Sequence, residues 1–204
     1  MADNLARAQL ARLAWQHAEQ TRSRLPALVL FTDDARLPDP LPSIRALPRG
    51  SMVVLRERNS AKRRALASAI ARIARKRRLV WIIADDPHLA TELHAHGVHF
   101  PEAKLPLATH WRTKRRRWLI TSAAHSLAAG ARAARAGADA IFLAPAFATR
   151  SHAGQNFLGS LRVRIIANKV TVPVYALGGV DAHSARRLSG ASLAGLAAVG
   201  ALAI

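Results

Sequence analysis

The stretch VPVYALGGV, residues 172 to 180, runs apolar and β-prone until two glycines stop it. An apolar run that does not alternate with polar residues reads as a strand covered on both faces, the habit of parallel sheets. The glycine pair that closes it has two readings. Gly178 and Gly179 can form a tight turn, because glycine adopts backbone angles other residues avoid. They can also let main-chain N–H groups come close to an anion.

Seven further runs of the same kind flank this one: ALVLFTD (27–33), MVVLRER (52–58), RLVWIIAD (78–85), GVHF (97–100), WLITSAA (118–124), AIFLAP (140–145) and LAGLAAVG (193–200). They recur roughly every 20 to 30 residues with helix-like or polar segments between them, the pattern of repeated βα units. In NSAKRRALASAIARIARKRR (59–78), Leu66, Ile70 and Ile73 share one helical stripe behind an Asn or Ser cap. Comparable helices are expected around 86–96, 126–137 and 181–190, each ending in or followed by glycine. The Pro-rich connection DARLPDPLPSIRALPRG (34–50) is expected to be irregular.

Eight such units predict a closed (β/α)8 TIM barrel in one domain spanning residues 1–204. A doubly wound open sheet competes, but its Gly-x-Gly-x-x-Gly fingerprint does not follow the first strand. Ile204 comes directly after the eighth strand, so the last helix is expected to be truncated or missing. The extra N-terminal helix within residues 1–25, from about Asn4 to Arg24, is expected to cover strands one and eight instead.

Lys and Arg number 31 against 12 Asp and Glu, a formal charge of +19, so anionic partners are implied. The charge gathers in RERNSAKRR (56–64), RKRR (75–78) and RTKRRR (112–117), which ordinarily would be solvated helix faces. Few aromatics lie among them to stack on bases, and a nucleic-acid partner is the weaker expectation. The absence of cysteine excludes disulfides and thiolate metal sites and fits a cytoplasmic location. The richest apolar run, ASLAGLAAVGALAI (191–204), is too short and glycine-broken to span a bilayer, so no membrane association is expected.

Active sites of such barrels lie at the C-terminal strand ends, with phosphate commonly beside strands seven and eight. Gly178, Gly179, Val199 and Gly200 could therefore present backbone N–H groups to a phosphate. Arg56 and Arg58, two apart at the end of strand two, are expected to point to one side and grip an anion through forked donors. Thr149, Ser151 and His152 lie just past strand six and add donors. His125, after strand five, titrates near neutral pH and could move a proton. Asp85 follows strand three. His94, His96 and His99 lie close in sequence but match no strong zinc spacing.

Taken together, these residues resemble the thiamine phosphate synthase and TenI-like superfamily of small TIM barrels over nearly the whole chain. LFTDD (30–34) is similar to the family's Ile-Thr-Asp, LRER (55–58) to its Leu-Arg-Glu-Lys, and HGVHFPEAKLP (96–106) to its Gly-Val-His-Leu block. AHSLAAGARAARAGADAIFLAPAFAT (124–149) resembles its Val-His-Ser-Leu and Ala-Asp-Tyr stretches, and VPVYALGGV its Pro-Val-x-Ala-Ile-Gly-Gly-Ile. In the synthase branch the resemblance implies joining of a pyrimidine pyrophosphate to a thiazole phosphate, with Mg²⁺ on the departing pyrophosphate. Asp85 matches one family metal ligand, but the second falls on Lys104, and the Asn before the first is Ala84. Val54 stands for the strand-two Gln, Ala123 for the strand-five Ser and Gly200 for the strand-eight Ser.

The TenI-like branch resembles the chain in these departures. It implies metal-independent isomerisation of a thiazole phosphate carboxylate to its aromatic tautomer, with His125 moving the proton. That branch is the main expectation, with no cofactor. The synthase, with Mg²⁺, is the alternative, and a non-catalytic phosphate- or nucleic-acid-binding regulatory barrel is the third. The expected partner is a small phosphorylated thiazole, or a pyrimidine pyrophosphate in the synthase, and a homodimer is compatible with the family.

Overall fold

The computed structural model describes residues 2–149 and 156–204. Eight parallel strands close a barrel in chain order: β1 Leu28–Phe31, β2 Met52–Leu55, β3 Val80–Ala84, β4 Gly97–Phe100, β5 Leu119–Ala124, β6 Ala140–Leu143, β7 Val174–Ala176 and β8 Gly195–Ala198. Closure runs through β1 and β8, with Val29 in register with Ala197. Every apolar run singled out in the sequence forms a strand. Most strand positions are buried, because outward side chains meet the helices and inward ones fill the barrel.

The described residues contain seven α-helices: α1 Ala2–Thr21, α2 Leu41–Ala46, α3 Ser60–Arg77, α4 Pro87–Glu92, α5 Leu105–Lys114, α6 Leu127–Arg135 and α7 Gly159–Lys169. In α3, Ile70 is buried with Leu66 and Ile73 packed beside it, and the Asn59 side chain accepts from the N–H groups of Ala61 and Lys62. α6 ends against Gly137 at φ +84°, the expected glycine stop. No described helix is long and apolar enough to cross a membrane.

Two connections differ from expectation. The Pro-rich segment after β1 contains α2, because Pro40 and Pro42 fall at the helix start, where a missing N–H costs nothing. The stretch 181–190 forms only a 3₁₀ turn, Ser184–Leu188. There the Asp181 side chain accepts from the N–H groups of His183 and Ser184, and the Ser184 hydroxyl donates to Gly179 O at 2.8 Å. These local bonds hold the chain in a turn that competes with an α-helix.

The flank this leaves thin is covered by α1, which packs on β8, β1 and the 184–188 turn. Arg7 Nη1 donates to Ala203 O at 2.6 Å, and Thr21 Oγ1 donates to Leu193 O at 3.1 Å. Leu10, Ala14 and Ala18 are buried on the inner stripe. Leu10→Ala is therefore expected to cost about 2–5 kcal/mol in urea unfolding, the range for a core Leu truncation. A change below about 0.5 kcal/mol, the surface value, would mean that the helix does not seal the barrel.

Inside the barrel, aromatic rings from four strands form a layer. Phe142 meets Phe31 edge-on at 4.7 Å between ring centroids, lies 5.3 Å from His99, and stacks on Tyr175 at 4.9 Å. His99 thus points inward and forms part of the plug beneath the rim.

Candidate active site

The C-terminal strand ends bring the candidate residues to one rim, since all eight strands run parallel. His125 follows β5 and is exposed. Its Nδ1 lies 2.6 Å from the Ala144 carbonyl oxygen at the end of β6. A carbonyl only accepts, so Nδ1 carries the hydrogen and the Nε2 lone pair is left as a base.

His99 differs in every respect. It is buried, its Nδ1 sits 3.0 Å from Thr121 Oγ1, and burial, with the Arg56 charge second, pushes its pKa down to about 3. It stays neutral near pH 7, a weak base enclosed below the rim. His96 Nδ1 accepts from Trp81 N at 3.2 Å at the opposite end of the barrel, and His94 adopts φ +53° there. The three histidines of the 94–99 stretch do not converge. Among the described residues no three of His, Asp and Glu gather in a way that could hold a metal.

Arg56 and Arg58 do not form the expected forked grip. β2 ends at Leu55, so both lie in the loop beyond it, where strand parity no longer sets their direction. The Arg56 guanidinium pairs with Asp33 after β1, and Arg36 joins the same carboxylate at 3.1 Å. Burial alone would raise the Asp33 pKa. The hydrogen bonds from Arg36 and the charges of Arg56 and Arg36 outweigh it and hold the group at about 2. Arg58 is exposed and has no acidic partner among the described residues.

At the end of β3, Asp85 adopts φ +58°, a left-handed conformation that Asp tolerates better than most residues. Its carboxylate accepts from Lys104 Nζ at 2.6 Å. The neighbouring carboxylates are also engaged. Asp86 caps α4 through Leu89 N and meets Arg63 at 3.3 Å, and Glu102 accepts from Arg132 at 2.6 Å.

Gly178 and Gly179 lie just past β7 at φ +89° and +65°. A Cβ on Gly178 would come 3.0 Å from Pro145 Cα, and one on Gly179 would come 2.5 Å from Ala148 O, so the loop after β6 packs directly on both. The turn reading therefore has its own physical cause. The anion reading remains compatible with it, because neither N–H donates to an acceptor among the described residues. Val199 and Gly200 follow β8, the hydrogen-bonded neighbour of β7, and a Cβ built on Gly200 would meet nothing within 4 Å. That leaves open space beside a free N–H. Thr149 Oγ1 is buried without a partner among the described residues. Ser151 and His152 lie outside the described residues.

Sequence reasoning missed Arg36 and Glu102. Their one signal was position, each a few residues past a strand end; their partners, Asp33 and Arg132, are set by the fold.

A family model described as thiamine monophosphate synthase matches residues 29–202. A thiamine-phosphate synthase from Chlorobium luteolum is 30% identical over 182 residues, 87% of this chain and 85% of the relative. One from Herpetosiphon aurantiacus is 33% identical over 170 residues, 80% of this chain and 81% of the relative. Against one from Gloeobacter violaceus the match spans only 54% of the relative. Among solved structures, a thiamine phosphate pyrophosphorylase from Pyrococcus furiosus superposes with TM-score 0.75 over 87% of each chain at 21% identity, a likeness of fold.

Proposed function

The chain belongs to the thiamine monophosphate synthase family, and from that premise we propose that it holds a thiazole phosphate at the rim and moves a proton on it with His125, without a divalent metal. The observation that carries this reading is the fixed tautomer of His125, whose Nδ1–H is committed to Ala144 O and whose Nε2 is available. Nε2 takes a proton from one carbon of the substrate, and the resulting imidazolium returns it at another, so the substrate's formula is unchanged. The Ala144 carbonyl, still accepting from Nδ1, stabilises the transient cation. The N–H groups of Gly178, Gly179, Val199 and Gly200 hold the phosphate, with Thr149 beside it. Arg58 meets the carboxylate, and Arg56 reaches it only by sharing its charge with Asp33.

The Mg²⁺ implied by the synthase branch does not fit the residues present. Its first family position, Asp85, is neutralised by the Lys104 ammonium, and its second position is that same lysine. An ammonium brings a positive charge but no oxygen ligand, and a hard divalent cation requires several. MgCl₂ is accordingly expected to leave the melting temperature of the parent protein unchanged. Lys104→Asp would restore a second carboxylate. At ten times its dissociation constant the ion would then add about 1.4 kcal/mol, or about 3–6 °C for a chain of this size. A parent protein that responds to MgCl₂ as strongly as the variant would contradict the misfit.

The relatives' names favour a second reading, the joining of a pyrimidine pyrophosphate to a thiazole phosphate. One pair of assays separates the two. Solvent-deuterium exchange into a thiazole phosphate carboxylate, followed by NMR in the presence of a chelator, is expected to be fast. Pyrophosphate release from the two synthase substrates with added Mg²⁺ is expected to stay at background. The reverse pattern would establish the synthase and overturn the proton-transfer reading.

A further inference from the structure

The two ends of this barrel differ in charge balance. Acids cluster after the strands, at the rim just described, with Asp33, Glu57, Asp85, Glu102 and Asp181 among them. The segments that lead into β1, β2, β3 and β5 at the other end carry eleven lysines and arginines, within residues 22–24, 49, 75–78 and 114–117. All are exposed except Arg77, which is half-buried. Glu19 is the one carboxylate at that end without a cationic partner among the described residues, since Asp139 pairs with Arg112 and Glu92 with Arg64. The basic entries to β2 and β3 are also joined: Gly50 N donates to Arg78 O at 3.1 Å, and Arg77 Nη2 donates to Leu47 O at 3.0 Å.

Between the end of α1 and the entries to β1 and β2 this surface opens into a cleft of about 600 Å³. Trp15, Arg22, Arg24 and Arg49 line it, along with Glu19. Trp15 is 47% exposed. A half-exposed indole beside three arginines offers a stacking face next to phosphate donors, the pairing by which single strands are held. Nine of the eleven cations are arginine, whose planar fork suits phosphate oxygens.

We propose that this end of the barrel, centred on the Trp15 cleft, binds single-stranded nucleic acid, a base stacking on Trp15 and the backbone running over Arg22, Arg24, Arg49 and Arg78. The surface carries far more cations than one nucleotide has charges, which points to a polymer. A membrane surface would need apolar side chains to insert. Apart from Trp15, the exposed large hydrophobic residues lie elsewhere: on helices α1, α5, α6 and α7, in the connection before α7 (Phe157) and at Ile204. The site is independent of the rim chemistry, so the failure of one leaves the other standing.

The test uses fluorescence anisotropy with a labelled oligo-dT of about 12 nucleotides, within the span one such domain covers. Binding is expected at 50 mM salt, with log K falling against log[salt] at a slope near −3, as about four phosphate contacts would give. Arg22→Glu, Arg24→Glu and Arg49→Glu together are expected to weaken binding at least about tenfold. Trp15→Ala alone is expected to weaken it at least about fivefold, the lower end for a lost base stack. A control with the same change of charge, Arg12→Glu, Arg162→Glu and Arg164→Glu, is expected to weaken it less than about threefold. Absence of binding at 50 mM salt overturns the proposal. So does a control that costs as much as the cleft variant, or tighter binding to phosphatidylserine vesicles than to the oligonucleotide.

Discussion

Replacing His125 with alanine is expected to slow metal-free proton exchange on the thiazole phosphate by about 10²–10⁴-fold, the range for losing a positioned acid–base group. The affinity for the same ligand, followed by its effect on melting temperature, should stay within about threefold, because in the proposed mechanism His125 acts on the reacting carbon while main-chain N–H groups after β7 and β8 would hold the phosphate. The variant should fold normally, since the side chain is exposed and makes one hydrogen bond among the described residues, to Ala144 O. His125→Gln supplies a further check. A glutamine can donate to the same carbonyl but offers no basic lone pair, so it should repair the geometry without restoring exchange. If His125→Ala exchanged protons at the parent rate, the base would have to be another group. His99 would be a poor substitute, because its ring is buried inside the barrel and burial makes it a weak base.

The strands were legible because burial on both faces demands uninterrupted apolar runs, and such runs are local. The direction in which a strand side chain points was not legible, for the same reason. In GVHF nothing alternates, so whether His99 or its neighbours face the lumen is decided only when β4 takes its place between β3 and β5. Once the barrel closes, Phe31 and Phe142 arrive from β1 and β6 to enclose the His99 ring.

The rim was legible as a set of positions and much less so as a set of partners. The sequence placed Arg56, Asp85, His125 and the glycines at strand ends, but an ion pair joins residues from different units. Asp33 consumes Arg56 across β1 and β2, and Lys104 neutralises Asp85 across β3 and β4. Each pair converts a group that looked available for substrate into one already engaged. The failure at 181–190 has a different origin, since hydrogen bonds from Asp181 and Ser184 over a few residues outweighed a weak helical pattern.

Alanine at Gly195 is expected to damage the fold severely. Gly195 opens β8 without a positive φ, so the usual conformational reason for glycine does not apply. The reason is spacing, because a Cβ there would stand 2.0 Å from Ala27 O, the acceptor of the Leu196 N–H at the seam between β1 and β8. The obstacle is backbone on both sides and has no rotamer by which to yield, so the strands must part where the barrel closes. The cost should reach about 3 kcal/mol or more, at or above the upper end for overpacking, which lowers the melting temperature by about 6–12 °C in a chain of this length. Gly97→Ala, with its Cβ 1.9 Å from Leu119 O at the seam between β4 and β5, should cost a similar amount. Gly50 separates spacing from conformation: it sits at φ +79° with nothing within 4 Å of a built Cβ, so alanine there meets only the left-handed penalty of about 1–2 kcal/mol. Calorimetry on the three variants should therefore rank Gly195→Ala and Gly97→Ala well below Gly50→Ala, and a Gly195→Ala protein melting within about 2 °C of the parent would mean that the barrel closes with more slack than a 2.0 Å approach allows.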